Sequence, residues 1–165
     1  MGMEPPPPPA GGSSGGPDWG EMKGKLTATQ GPDRMLMIAA VLFVIATFLP
    51  WYKVSVVGFV GGSENAWGLG GLGVLAAILG LGAAVLAVAL ALGSVKIPSA
   101  PLLAVGLAGG TLLFTLLRFL FKPGGDAAIL SSGVVKISRG FGLWAALVLA
   151  LAMGVAGYQK FKASN

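Results

Sequence analysis

The stretch Gly68–Gly93, GLGGLGVLAAILGLGAAVLAVALALG, decides the fold of this chain because it contains neither a charged residue nor a proline. As an α-helix it can cross the roughly 30 Å hydrocarbon core of a bilayer, which needs about 20 apolar residues. Backbone polar groups in lipid must bond within their own segment, so a helix is the natural form for this run. The stretch therefore predicts a membrane-spanning helix over 68–93.

Three further apolar runs follow the same pattern, with predicted limits of 33–52, 100–121 and 141–158. Only 10% of the 165 residues are charged, against about 25% in soluble domains. A soluble protein of this size could not hide four such runs in one core. We predict an all-α integral membrane protein with four transmembrane helices arranged as two tandem hairpins.

The two ends of the chain are polar. Residues 1–32, with a run of prolines and a Gly/Ser stretch, are expected to form a disordered cytoplasmic tail. Residues 33–158 form the membrane domain, and residues 159–165 form a short basic tail. Lys23, Lys25 and Arg34 precede the first helix whereas Lys53 alone follows it, so the positive-inside rule predicts cytoplasmic termini in the plasma membrane. The proline run serves either as a spacer or as a recognition motif.

The residue counts exclude several chemistries. The chain contains no histidine and no cysteine, which removes disulfides, thiol chemistry and imidazole catalysis. The run Gly68–Gly73 matches the dinucleotide pattern G-x-G-x-x-G, but the strand and the acidic residue that this pattern needs are missing. We predict no enzyme activity, no cofactor and no metal. Because the basic residues flank apolar runs, their expected partners are lipid headgroups rather than nucleic acid.

Small residues recur at four-residue spacing, which permits close helix packing in lipid. In 68–93 they form two rows on adjoining faces, one through Gly80 and one through Ala87. We expect one row to pack inside the bundle and the other to contact another membrane protein or a second copy. The candidate packing or partner positions are Gly80, Ala84, Ala87, Ala91, Gly106, Gly110, Ala150 and Gly154.

Arg118 is the one charged residue inside the apolar part of a predicted helix, and Lys122 follows it on the same face. Arg118 lies about one turn from the helix end, so its guanidinium can reach the headgroups. The pair is a candidate contact for an anionic lipid or another anion. A structural alternative is an ion pair of Arg118 with Asp126 or Glu64.

Aromatic residues mark the predicted ends of the spans, where tryptophan and tyrosine prefer the headgroup level. We expect an interface belt of Trp51, Tyr52, Trp67 and Trp144 on one side of the membrane and of Tyr158 on the other.

The two long loops share a stretch of β-branched residues next to glycine. These stretches predict that the loops pair as a small outer β-sheet. The residues concerned are Val54, Val56 and Val57 in the first loop and Val134, Val135 and Ile137 in the second.

The segments Phe48-Leu49-Pro50-Trp51-Tyr52 and Ala66-Trp67-Gly68 resemble those of uncharacterised small four-pass membrane proteins of high-GC Gram-positive (actinobacterial-type) bacteria. The resemblance implies a bacterial membrane as the host and carries over no activity or functional residue.

Two functions remain open after this reading of the sequence. The first is a non-catalytic multi-pass membrane protein, a structural or assembly subunit that binds other membrane proteins. The alternative is a small oligomeric pore or carrier whose cationic outer mouth contains Arg118 and Lys122.

Overall fold

The computed structural model describes residues 18–28, 31–56, 59–93, 98–122 and 135–164, so the proline run lies outside the described residues. The elements in chain order are α1 (Trp19–Ala28), α2 (Pro32–Phe48), β1 (Tyr52–Val56), β2 (Phe59–Glu64), α3 (Gly71–Ala91), α4 (Ala100–Leu120), β3 (Val135–Arg139) and α5 (Phe141–Ser164).

Helices α2 to α5 form an antiparallel bundle in which α3 and α5 each pack against both α2 and α4. The C-terminal ends of α2 and α4 meet the strands at one end of the bundle, which we call the sheet end. At the opposite end, the tail end, the Nζ of Lys160 lies 2.6 Å from a carboxylate oxygen of Asp33. This ion pair joins the start of α2 to the last turns of α5.

By length and composition, three helices in the described part of the chain could cross a membrane, namely α3, α4 and α5. Helix α2 has 17 residues and ends at Phe48, short of the predicted limit of 52. Proline disfavours helical backbone in the residue before it, and Leu49, which precedes Pro50, is extended. In the other direction, α5 continues past the predicted limit of 158 to Ser164.

The interior of the bundle is built from small side chains, with Phe43, Leu143 and Met153 among the few large ones. Large apolar side chains such as Val85 and Val148 point outward instead. A soluble protein rarely exposes a continuous apolar surface. Close packing through small residues with an apolar exterior is the arrangement expected for helices in lipid.

Within the described ranges the strands form one sheet in the order β2-β1-β3, with both pairs antiparallel. Val54 lies opposite Ile137 and Val56 lies opposite Val135, so the predicted pairing of the two loops is confirmed for these residues. Val57 and Val134 lie outside the described residues. Strand β2, which pairs with the other edge of β1, was not predicted.

Helix α1 lies in a part of the chain that the sequence analysis expected to lack structure. Asp18 caps its first turn, because its Oδ1 accepts the backbone N–H groups of Gly20 and Glu21 at 3.0 and 3.2 Å. One turn later Glu21 forms an ion pair with Lys25 at 2.8 Å. A capping aspartate and such a pair each stabilise a short helix.

Candidate functional site at the junction of sheet and bundle

Trp51 and Tyr52 lie between the sheet and the helix ends, and both are 0% exposed. The expectation that these two residues belong to a headgroup belt is therefore wrong. Helix α2 stops before them, and the chain then turns beneath the sheet. Buried tryptophan and tyrosine need hydrogen-bond partners for their polar atoms, and here the partners are carbonyls at the helix ends.

The backbone carbonyls in the last turn of a helix have no partner within the helix itself, and in α4 other residues supply the partners. The backbone N–H of Phe121 donates to the carbonyl of Leu117 at 2.8 Å. The hydroxyl of Tyr52 in β1 donates to the carbonyl of Arg118. The guanidinium of Arg139 in β3 donates twice to the carbonyl of Phe119, at 3.2 and 3.0 Å. Two strands of the sheet thus supply the cap of one helix.

The end of α2 is capped in a similar way by residues that follow it. The indole N–H of Trp51 donates to the carbonyl of Ala46 at 2.9 Å. The backbone N–H of Ala66 donates to the carbonyl of Thr47 at 3.1 Å, and the indole of half-buried Trp67 donates to the Thr47 hydroxyl at 3.0 Å. These bonds fix the start of α3 to the end of α2.

The start of α5 lies against the same turn of chain. The backbone N–H of Gly140 donates to the carbonyl of Trp51 at 2.7 Å, and that of Gly142 donates to the carbonyl of Pro50 at 2.9 Å. A Cβ atom at either glycine would collide with this segment of backbone. At the sheet end, hydrogen bonds thus join the strands to α4 and join the segments next to the strands to α2 and α5.

Arg118 does not reach outward as expected, because its turn of α4 faces the bundle interior beside Thr111 and Thr115. It is 8% exposed, and its guanidinium carbon lies 5.4 Å from the centre of the Tyr52 ring. Arg118 is therefore not the exposed residue that the sequence indicated, and the contact of Arg118 and Lys122 with an anionic lipid or another anion stays a prediction. No ion pair joins it to Glu64 among the described residues, and Asp126 lies outside them.

Among the residues that the structure describes, the Thr115 hydroxyl and Arg118 Nε on this face of α4 are buried and have no hydrogen-bond partner. Another nitrogen of the Arg118 guanidinium, Nη2, donates a long hydrogen bond of 3.5 Å to the carbonyl of Leu69. Within the described ranges, acidic residues form no cluster that could hold a metal ion.

Both small-residue rows of α3 face into the bundle. Gly80, Ala84 and Ala87 are buried, and a Cβ atom at Gly80 would overlap the ring of Phe43 on α2. The expectation that one row faces outward is wrong for Ala87, while Ala91 at the end of that row is partly exposed. Positions three or four residues apart lie on nearly the same side of a helix. The two helices that pack against α3, namely α2 and α4, can therefore cover both rows.

The other candidate positions divide between interior and surface. Ala150 is buried, and the sites of Gly110 and Gly154 lie next to leucine side chains of neighbouring helices. Gly106 is exposed and has open space where a Cβ atom would lie. The structure exposes Lys122, Trp144 and Tyr158.

A Tyr52→Phe substitution tests this network. Burial raises the pKa of Tyr52, against the lowering effect of Arg118 and Arg139. Loss of the hydroxyl leaves a buried carbonyl unpaired, which costs about 1–3 kcal/mol. The stabilising contribution of the protonated hydroxyl is present below about pH 10 and is lost as the pH rises through the raised pKa. The free energy of unfolding, measured in detergent from pH 7 to 11, should fall at alkaline pH in the parent protein and should fall less in the variant. Identical pH profiles would contradict the assignment.

Arg139 was not among the site residues predicted from the sequence, although a basic residue directly before a glycine-marked helix was a usable signal. Its guanidinium stacks 4.4 Å above the ring of Phe119, which in turn meets Trp144 edge to face at 4.8 Å.

Comparison with known proteins gives no match, either to a protein-family model or to a functionally curated protein.

Proposed function

We propose that the chain is a non-catalytic membrane protein that crosses the plasma membrane four times and acts as a structural or assembly subunit. Support for α2 as the fourth span comes from its position between α3 and α5. Beyond its first turn its outward residues are apolar, namely Met35, Ile38, Val41, Leu42, Ile45 and Phe48. A helix of 17 residues is at the short end of the range that spans a bilayer.

In this proposal both termini lie in the cytoplasm and the sheet lies outside. The chain contains no cysteine, so single cysteines at Ser13, Ser63 and Ser164 report topology without background. A membrane-impermeant maleimide should label intact cells only through the cysteine at Ser63. If Ser13 and Ser63 were labelled alike, α2 would not span the membrane. Labelling of Ser13 and Ser164 alone would invert the orientation.

The outer face of the sheet is the surface that we propose binds a partner. Side chains alternate along the strands, so Val54 and Ile137 face the bundle while Lys53 and Lys136 face away from it. Neither lysine lies in an ion pair among the described residues. The observation that carries the proposal is that Tyr52 and Arg139 fix this basic face to the C-terminal end of α4. A preorganised surface binds without a further ordering cost.

The partner that fits this face is an acidic extracytoplasmic segment of another membrane protein, because opposite charges steer association. Capture from membranes in mild detergent, followed by mass spectrometry, should recover a stoichiometric membrane partner. Lys53→Glu/Lys136→Glu should reduce its recovery about tenfold or more, which corresponds to roughly 1.4 kcal/mol. Lys162→Glu at the tail end, where the lysine is also exposed, is the matched control. Equal recovery with all three proteins would remove this face from the proposal.

One observation favours the alternative of a small oligomeric pore or carrier. The Thr115 hydroxyl and Arg118 Nε lie inside the bundle and have no hydrogen-bond partner in the described part of the chain, and buried polar groups in membranes often mark transport paths. A homo-oligomer recovered without any second protein, together with anion flux in liposomes, would favour this function over the first.

A further inference from the structure

Arg118 places a positive charge inside the bundle, near the sheet end. Only 8% of the residue is exposed, and no ion pair joins it to another residue in the described part of the chain. A charge that is removed from water without a counter-charge is strongly unfavourable, so buried charges in proteins are normally paired. The Arg118 guanidinium therefore needs an anion.

The acidic side chains that the structure describes do not supply this anion. Asp33 forms its ion pair at the tail end of the bundle. Asp18 and Glu21 lie beside the C-terminal end of α3, which is also at the tail end. Glu64 lies at the sheet end, but its carboxylate is next to Gly68 and forms no ion pair with the buried guanidinium. The described part of the chain thus offers no counter-charge.

A second positive charge lies at the same end of α4. The guanidinium of Arg139 donates to the carbonyl of Phe119, the residue next to Arg118. Within the described ranges Arg139 has no ion pair either. An anion bound at this junction would reduce the repulsion between the two guanidinium groups, which is stronger in a protein interior than in water.

Two hydrogen-bond donors on the inner face of α4 have no partner in the described part of the chain, namely the Thr115 hydroxyl and Arg118 Nε. They are three residues apart, so they project from the same side of the helix. One turn earlier on this face, the hydroxyl of Thr111 donates to the carbonyl of Leu107 in its own helix at 2.7 Å. Thr115 makes no such bond, so its hydroxyl hydrogen is available to a ligand.

We propose that Thr115 and Arg118 bind one chloride ion inside the bundle, beneath the sheet. The hydroxyl and the Nε–H group donate to the ion, and its single negative charge balances the guanidinium. A halide accepts hydrogen bonds from any direction. Phosphate or sulfate would bring further oxygens and further charge into the same buried surroundings, where two donors could not satisfy them. The site therefore favours a halide over a larger anion.

The inference rests on neither proposed function, because the buried charge needs a counter-ion whether the bundle acts as a subunit or as a carrier. The full chain in detergent is titrated with sodium chloride in exchange for sodium gluconate at constant ionic strength, since gluconate is too large for the site. A ligand that binds only the folded protein raises its melting temperature as the site fills. We expect a saturable rise with chloride, and broadening of the chloride NMR signal should report the binding directly.

Four variants test the assignment of the two donors and the charge. Thr115→Val removes the hydroxyl with little change in shape and should weaken chloride binding about tenfold or more. Thr111→Val is the matched control, because the Thr111 hydroxyl already has a partner in its own helix, and the affinity should stay unchanged. Arg118→Met should abolish the effect of chloride on the melting temperature. Asp126→Asn, in the segment outside the described residues, should leave the affinity unchanged.

Equal melting temperatures in chloride and gluconate, without broadening of the chloride signal, would overturn the proposal. So would a loss of affinity in Thr111→Val as large as in Thr115→Val. If chloride raised the melting temperature only in Asp126→Asn, then Asp126 would be the counter-charge and the proposal would be wrong. If Arg118→Met fails to fold, the comparison of Thr115→Val with Thr111→Val decides by itself. Partner capture and anion flux are measured separately, so the failure of each proposal is distinguishable.

Discussion

A Gly80→Leu variant is expected to lose about 1–3 kcal/mol of stability, the usual cost of overpacking a close-packed core. The Cβ atom of any residue at position 80 would overlap the ring of Phe43, and this ring is fully buried between helices. The ring cannot move aside without opening the contact between α2 and α3. Thermal unfolding in detergent measures the loss.

The matched control is Gly106→Leu, because Gly106 lies on α4 at an exposed position with open space around it. Its stability should stay close to that of the parent protein. A second test is the pair Gly80→Ala and Phe43→Leu. If the two side chains collide, Gly80→Ala should cost less in the Phe43→Leu background, since contacting residues are not additive. Additive effects would place the strain elsewhere.

Ala87 is buried on α3 in the same way as Gly80. The sequence predicted that one of the two small-residue rows of α3 contacts a partner, but Ala87 in the second row is buried within the chain. Ala87→Leu should therefore lower the melting temperature as Gly80→Leu does. In our proposal the partner therefore binds the face of the sheet that contains Lys53 and Lys136 rather than the alanine row of α3.

The apolar segments and the sheet were predictable because their signals are local. A long run without charges predicts a helix in lipid from its length alone, and α3 lies inside the predicted 68–93. The β-branched residues of the two loops also carried their own signal, and Val54 pairs with Ile137. Helix α1 had a usable signal in Asp18 followed by Glu21, which the surrounding prolines and glycines obscured.

The candidate site was harder to predict because its parts are distant in the chain. The Tyr52 hydroxyl donates to the backbone carbonyl of Arg118, which lies 66 residues further along the chain. No local sequence pattern signals such a contact. Tryptophan, tyrosine and arginine often lie at the membrane surface, and this preference predicted exposed positions for Trp51, Tyr52 and Arg118. Trp51 and Tyr52 turn inward because their side chains donate to carbonyls at the ends of α2 and α4. Arg118 lies inside because its turn of α4 faces the bundle interior with Thr111 and Thr115.

Gly140→Ala should separate the sheet from the bundle. The added Cβ atom would lie against the carbonyl of Pro50 and the backbone of Trp51. These are main-chain atoms, so relief requires a shift of the whole turn rather than of one side chain. The shift would also lengthen the bond from the Gly140 N–H to the Trp51 carbonyl, now 2.7 Å. We expect a loss at the upper end of the 1–3 kcal/mol range, about 3 kcal/mol.

Gly62→Ala is the matched control, because Gly62 lies in strand β2 with nothing within 4 Å of a Cβ atom. Its stability should be unchanged or slightly higher, since alanine has less freedom than glycine in the unfolded chain. Hydrogen exchange followed by mass spectrometry then locates the effect of Gly140→Ala. If the strands cap the helices as the hydrogen bonds indicate, exchange should rise both in β1 and in the last turns of α2 and α4. Faster exchange in the strands alone would mean that the helix ends hold without their caps, and that the sheet is a separable attachment.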